Sequence, residues 1–181
     1  VVTASHNPKD YNGMKFVREG SKPISGDSGL AEIRHLTEQR RGRDSSSKGS
    51  YEATSTLSPY IQHLLSYVDV PSLAPLNVVC NAGNGGAGRV IDALEPKLPF
   101  KFSKVHHEAN GHFPNGVPNP LLEENREATA GVVRAKRADL GIAWDGDFDR
   151  CFFFDDKGTF IEGYYNRRSI RRSGLIEKSR R

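Results

Sequence analysis

Two short segments carry the residues whose types could do chemistry: Thr3 to Pro8 (T-A-S-H-N-P) and Asp145 to Arg150 (D-G-D-F-D-R). The first offers the Ser5 hydroxyl, with His6 and Asn7 beside it on a loop. The second offers carboxylates at Asp145, Asp147 and Asp149. Phosphoryl transfer needs a positioned donor or nucleophile, and cations to neutralise the charge on the group in flight. A phosphorylated Ser5 would carry about two negative charges and three acceptor oxygens. Alternate positions of a short extended loop point the same way, so the three aspartates can wrap a hard divalent cation. Mg2+ favours a few carboxylates plus a phosphate oxygen. Arg150 adds a planar cationic fork for phosphate.

Each segment alone has another reading. Ser, Asn and Pro in succession also make a turn or a helix cap, and three acids in a row of six also make a solvated turn. Asp-x-Asp-x-Asp opens calcium loops as well, but such a loop needs Gly at its sixth position and Glu at its twelfth, where this chain has Arg150 and Asp156. The pairing of the two segments is what favours a phosphoserine with its metal site.

The chain resembles the α-D-phosphohexomutase family, its bacterial phosphomannomutase branch most closely, across nearly all of residues 1–165. The stretches that carry the resemblance are VVTASHNPKDYNGMKFVREGSKPISGD, NVVCNAGNGGAGRVIDALEP, KVHHEANGHFPNGVPNPLLEENRE and ADLGIAWDGDFDRCFFFDDKGTFIEGYY. The resemblance implies an enzyme that moves phosphate between the 6- and 1-positions of a hexose, mannose or glucose phosphate, through a bisphosphorylated sugar. It implies that Ser5 is the phosphoserine, that His6 and Lys15 act beside it, and that Asn7 and Arg150 meet the substrate. It implies a Mg2+ held by Asp145, Asp147, Asp149 and a phosphoserine oxygen. Phosphoglucomutase or dual specificity is the alternative, and so is a cation- or phosphate-binding fragment without chemistry.

The elements that must position these residues suggest an α/β chain with mixed-sheet domains of the phosphohexomutase type. Residues 1–52 are expected to be the C-terminal part of a first domain, with Val1 and Val2 as the end of a buried strand, since no Met opens the chain. Ser25 to Asp27 form a plausible cap before Leu30, Ile33 and Leu36, which have helical spacing. Arg40 to Ser50 has no periodicity and reads as an exposed loop. Residues 53–165 are expected to be a second domain: a helix over Pro59–Val68, a strand over Leu76–Cys80, and a helix through Val90, Ile91 and Leu94. A strand over Phe100–Val105, a helix over Glu123–Arg137 and a strand over Leu140–Ala143 follow, and Phe152–Phe154 with Thr159–Ile161 close it as a hairpin. Asn81 to Gly88 superficially fits a dinucleotide fingerprint, yet no acidic residue ends a second strand about 20 residues on. Close strand-to-helix packing explains those glycines.

Composition narrows the remaining classes. With 181 residues, 36% hydrophobic and 9% aromatic, the chain suits one domain and part of another. Cys80 and Cys151 have no metal or redox spacing and read as interior thiols. His106, His107 and His112 match no zinc spacing and read as a surface loop. No apolar run is long enough for a membrane span and no signal peptide opens the chain, so a cytoplasmic setting is expected. Residues 166–181 hold seven basic residues and one acid, net +6 against +4 for the whole chain, which leaves −2 over 1–165. Such a tail is a natural nucleic-acid arm, but a frameshift explains it better: one permitted back-translation, shifted by a base, encodes I-V-G-L-F-A-E-A-A-L-L-K-K-A-D, an amphipathic helix of the family's type.

Overall fold

The computed structural model describes residues 1–40, 42 and 46–163. The basic tail at 166–181 lies outside the described residues, as does part of the loop expected over Arg40–Ser50. Within them, β1 (Val17–Arg18), β2 (Lys22–Pro23) and α1 (Leu30–Glu38) form a first unit. It is followed by α2 (Leu57–Leu65), β3 (Asn77–Asn81), α3 (Ala87–Leu94), β4 (Lys101–Val105), α4 (Glu127–Lys136), β5 (Leu140–Trp144), β6 (Cys151–Phe154) and β7 (Phe160–Ile161). The sheet order is β4-β3-β5-β6-β7, with β4, β3 and β5 parallel and β6 and β7 antiparallel. This is the mixed-sheet α/β fold the sequence suggests.

Strand alternation divides the core. Val79 and Ala143 face α4, where they pack with Ala130, Val133 and Phe154. Gly141 lets α4 approach, since a Cβ there would sit 2.7 Å from Val133 Cγ2. Val78 and Cys80 face the other way, against Ala87 and Ile91 of α3. An apolar cavity of about 400 Å³ remains on this face, lined by Ile142, Trp144, Phe148 and Cys151 among others.

The order β4-β3-β5 makes chain reversal inevitable between β3 and β5. After β3 the chain crosses through α3 to β4 on one side; after β4 it returns through α4 to β5 on the other. Two loops therefore diverge from the carboxyl ends of neighbouring strands, which is where open α/β sheets bind ligands. One is the glycine-rich turn after β3, and the other carries Asp145 to Arg150.

Several expectations need correction. Val1 and Val2 are 76% and 68% exposed, and Val2 forms only an isolated antiparallel bridge with Met14. Among the described residues that returning segment is their sole strand partner, so nothing buries them. The helix expected over Glu123–Arg137 starts late: a 3-10 turn spans Glu123–Asn125, because Asn125 Nδ2 donates to the carbonyls of Val117 and Asn119. Helix α4 then stops at Arg137, which adopts φ 49°. The expected Pro59–Val68 helix begins two residues earlier and ends at Leu65. Cys80 is buried, and burial pushes its thiol up to about 12. Cys151 is exposed, however, because it pairs with Trp144 at the open end of the sheet. His107 is no free loop residue: only 15% exposed, its Nε2 lies 2.9 Å from Asp92 Oδ1. Among the described residues no helix is long and apolar enough to cross a membrane.

Candidate active site

The serine loop is a tight reversal tied to a returning strand. Thr3 N donates to the Gly13 carbonyl at 3.0 Å, and Lys15 N to the Val1 carbonyl at 2.8 Å. Asn7 N and its side-chain Nδ2 both donate to the Ala4 carbonyl, each at 3.0 Å. The reversal leaves Ser5 at φ 55°, a left-handed conformation uncommon for residues other than glycine. It also turns the serine hydroxyl toward the aspartate loop.

The aspartate loop is not the extended segment expected from alternate spacing. Phe148 N donates to the Asp145 carbonyl at 3.1 Å and Phe148 itself has φ 48°, so the chain curls. The aspartates converge because the loop wraps around them, and one oxygen from each of Asp145, Asp147 and Asp149 lies within 4.8 Å of the others. No other group of three or more such ligands occurs among the described residues, which sets His106, His107 and His112 aside.

Glycines let the loops meet. Gly86 N donates to the Gly146 carbonyl at 3.0 Å, and a Cβ on Gly85 would collide with that same carbonyl. A Cβ on Gly146 would lie 2.6 Å from the Ser5 carbonyl oxygen. The N-A-G-N-G-G-A-G turn thus braces the aspartate loop, which in turn braces the serine loop. Sequence reading took these glycines as helix packing and missed this contact; nothing local marks it, because it depends on β3 and β5 being neighbours.

Charge is concentrated at the junction. Asp145 is fully buried and forms an ion pair with Arg150, whose Nε lies 2.9 Å from Asp145 Oδ2 and whose backbone N–H donates to Oδ1 at 3.2 Å. Arg150 Nη2 also donates to Ser5 Oγ at 3.2 Å and to His6 Nδ1. Ser5 Oγ lies 3.5 Å from Asp145 Oδ2 and 3.3 Å from His6 Nδ1. Lys15 Nζ lies 3.5 Å from Asp149 and 3.9 Å from Asp147, beside the carboxylates. The structure therefore brings together Ser5, His6, Lys15, Arg150 and the three aspartates. Asn7 is exposed and spends its amide on its own loop.

The donor set fits a hard cation. All the side chains offer oxygen, as Mg2+ prefers. Asp147 Oδ1 is buried without a hydrogen-bond partner, an expensive arrangement for a carboxylate oxygen unless a cation satisfies it.

A family model described as phosphoglucomutase/phosphomannomutase α/β/α domain II matches residues 58–158. The chain belongs to this family. The corresponding domain I model matches residues 1–43. A phosphomannomutase of Vibrio cholerae is 57% identical over 91% of this chain, and the phosphohexose mutases of Xanthomonas campestris are 58% identical over the same share. The chain spans little more than a third of these relatives, 36% and 37% of their lengths. Among solved structures, a phosphoglucomutase/phosphomannomutase family protein from Burkholderia thailandensis superposes with a TM-score of 0.78 at 30% identity. That match covers 95% of this chain and 37% of the other.

Proposed function

We propose that the chain carries the phosphoserine and metal corner of a phosphomannomutase, which interconverts mannose 6-phosphate and mannose 1-phosphate through a hexose bisphosphate. The observation that carries this reading is that Ser5 Oγ sits within 3.5 Å of Asp145, Arg150 and His6 together. Mannose is favoured over glucose by the name phosphomannomutase carried by the Vibrio cholerae and Escherichia coli relatives, and a cytoplasmic setting suits two free cysteines.

In the forward half-reaction the P–O bond to Ser5 Oγ breaks as a sugar hydroxyl oxygen bonds to phosphorus, and the proton that the hydroxyl loses is delivered to the departing Ser5 oxygen. The second half-reaction reverses this with the other phosphate, returning a phosphoryl group to Ser5. Arg150 is placed to hold the phosphoryl oxygens and the leaving serine oxygen. Once Arg150 turns to the phosphoryl oxygens, the single lone pair of His6 Nδ1, 3.3 Å from Ser5 Oγ, is free to take the Ser5 proton as that oxygen attacks in the second half-reaction. Lys15 lies where it can pass from the carboxylates to the phosphoryl group. Asp145, Asp147, Asp149 and a phosphoserine oxygen would hold Mg2+, which when bound neutralises charge on the transferring group. Asn7 shapes the loop and meets substrate only at its rim.

The test is a graft. The Vibrio cholerae relative with its matching segment replaced by residues 1–163 of this chain is expected to turn over mannose 1-phosphate, and to lose turnover on Ser5→Ala. A folded graft that binds hexose phosphate without turnover would instead support a cation- and phosphate-binding fragment.

A further inference from the structure

Thr3 belongs to the serine loop by sequence but bonds to the aspartate loop. Its Oγ1 donates to Asp147 Oδ2 at 2.8 Å and accepts the Ser5 backbone N–H at 2.9 Å. A hydroxyl has a single proton, so this geometry uses it on Asp147 and leaves a lone pair for Ser5. Backbone bonding fixes Thr3 itself, through the Gly13 carbonyl and the Val2–Met14 bridge. The other oxygen of Asp147, Oδ1, is the buried one that no group in the described structure satisfies.

We propose that Thr3 is a positioning residue that holds Asp147 to single-oxygen ligation of the cation while fixing the backbone of Ser5. The proposal rests on reading the three aspartates as a cation site. With Oδ2 bonded to Thr3 and 3.9 Å from Lys15 Nζ, Oδ1 is the oxygen left for a cation. One-oxygen ligation suits Mg2+, which is small and demands near-octahedral geometry, whereas Ca2+ readily accepts both oxygens of one carboxylate. Thr3 therefore contributes to selectivity between the two ions as well as to affinity. The same hydroxyl donates at one end and accepts at the other, so the orientation of the metal ligand and the left-handed backbone of the serine are linked through one side chain.

The experiment uses the 181-residue chain, with Mn2+ binding followed by electron paramagnetic resonance and with Mg2+ and Ca2+ as competitors. Thr3→Val keeps the shape and removes the hydroxyl; Thr3→Ala serves if the valine variant does not fold, and Thr3→Ser restores the hydroxyl. Outer-shell partners of this kind typically govern metal affinity about tenfold or more. The expected result is a loss of about tenfold in Mg2+ competition in the valine or alanine variant, a smaller loss for Ca2+, and recovery of the Mg2+ preference in the serine variant. An unchanged Mg2+ to Ca2+ ratio, or a serine variant that behaves like the valine one, overturns the role of Thr3 while leaving the cation site intact. A wild-type chain that takes up no Mn2+ overturns the cation site and the role of Thr3 together.

Discussion

Asp145 and Arg150 join the aspartate loop to the serine loop. Asp145 has no exposed surface, and Arg150 is its charge partner as well as a donor to Ser5. Removing one member of a buried pair leaves the other unpaired and costs more than the pair contributes. Arg150→Ala is expected to destabilise the chain by about 3 kcal/mol in urea unfolding. Arg150→Lys keeps the charge but loses the fork, and is expected to recover part of that stability without restoring phosphoryl transfer. A second residue-scale expectation concerns acid. Asp155 closes the β6–β7 turn by accepting from Thr159 N at 2.7 Å and Lys157 N at 3.0 Å, and the Thr159 N–H in particular holds its carboxyl below the ordinary 3.8. A lowered carboxylate stabilises the fold above its unfolded pKa and loses that effect as pH falls through the folded value. Protection of the hairpin amides, relative to their intrinsic exchange at each pH, should therefore fall below about pH 4 in wild type. In Asp155→Ala that protection should be low already at neutral pH, with no further step in that range.

At the scale of elements, the site depends on three loops in contact, and glycine permits each contact. Gly85→Ala drives a Cβ into the Gly146 carbonyl. The backbone must move, at a cost of about 1–3 kcal/mol for an overpacked site. Because Gly146 supports Ser5, the same variant is expected to weaken cation binding, measurable by the Mn2+ titration alongside thermal unfolding. Strands β3 to β7 and helices α2 to α4 were legible in the sequence because their apolar residues recur at strand or helix period. The convergence of Ser5 with Asp145, Asp147 and Asp149 was suggested by the chemistry of a donor beside a cation site and by the family resemblance, never by spacing, since 140 positions separate Ser5 from Asp145. Two details left no sequence signal. The curl at Phe148 places a left-handed φ where no glycine marks it, and the bracing of Gly146 by Gly85 and Gly86 depends on β3 and β5 being neighbours, which local periodicity does not encode.

The whole molecule places a packed sheet beside a first unit that buries little. Among residues 1–40 no hydrophobic side chain is buried, and Tyr11, Met14 and Val17 are 60%, 68% and 53% exposed. The chain also corresponds to little more than a third of its relatives. Correct positioning of two reactants supplies about 7–11 kcal/mol of catalysis, and in this chain Asp149 and Lys15 stand half open to solvent. Assayed alone, it is expected to show negligible turnover of mannose 1-phosphate, even though Ser5, Arg150 and the aspartates stand together. Chemistry at Ser5 is separable from turnover, and it is the central claim. The direct measurement is peptide-mapped mass spectrometry after incubating the chain with glucose 1,6-bisphosphate and Mg2+, with Ser5→Ala in parallel. One phosphoryl group on Ser5, missing from the variant and suppressed by a chelator, is the predicted result; a folded chain that stays unmodified, or is modified elsewhere, would contradict it.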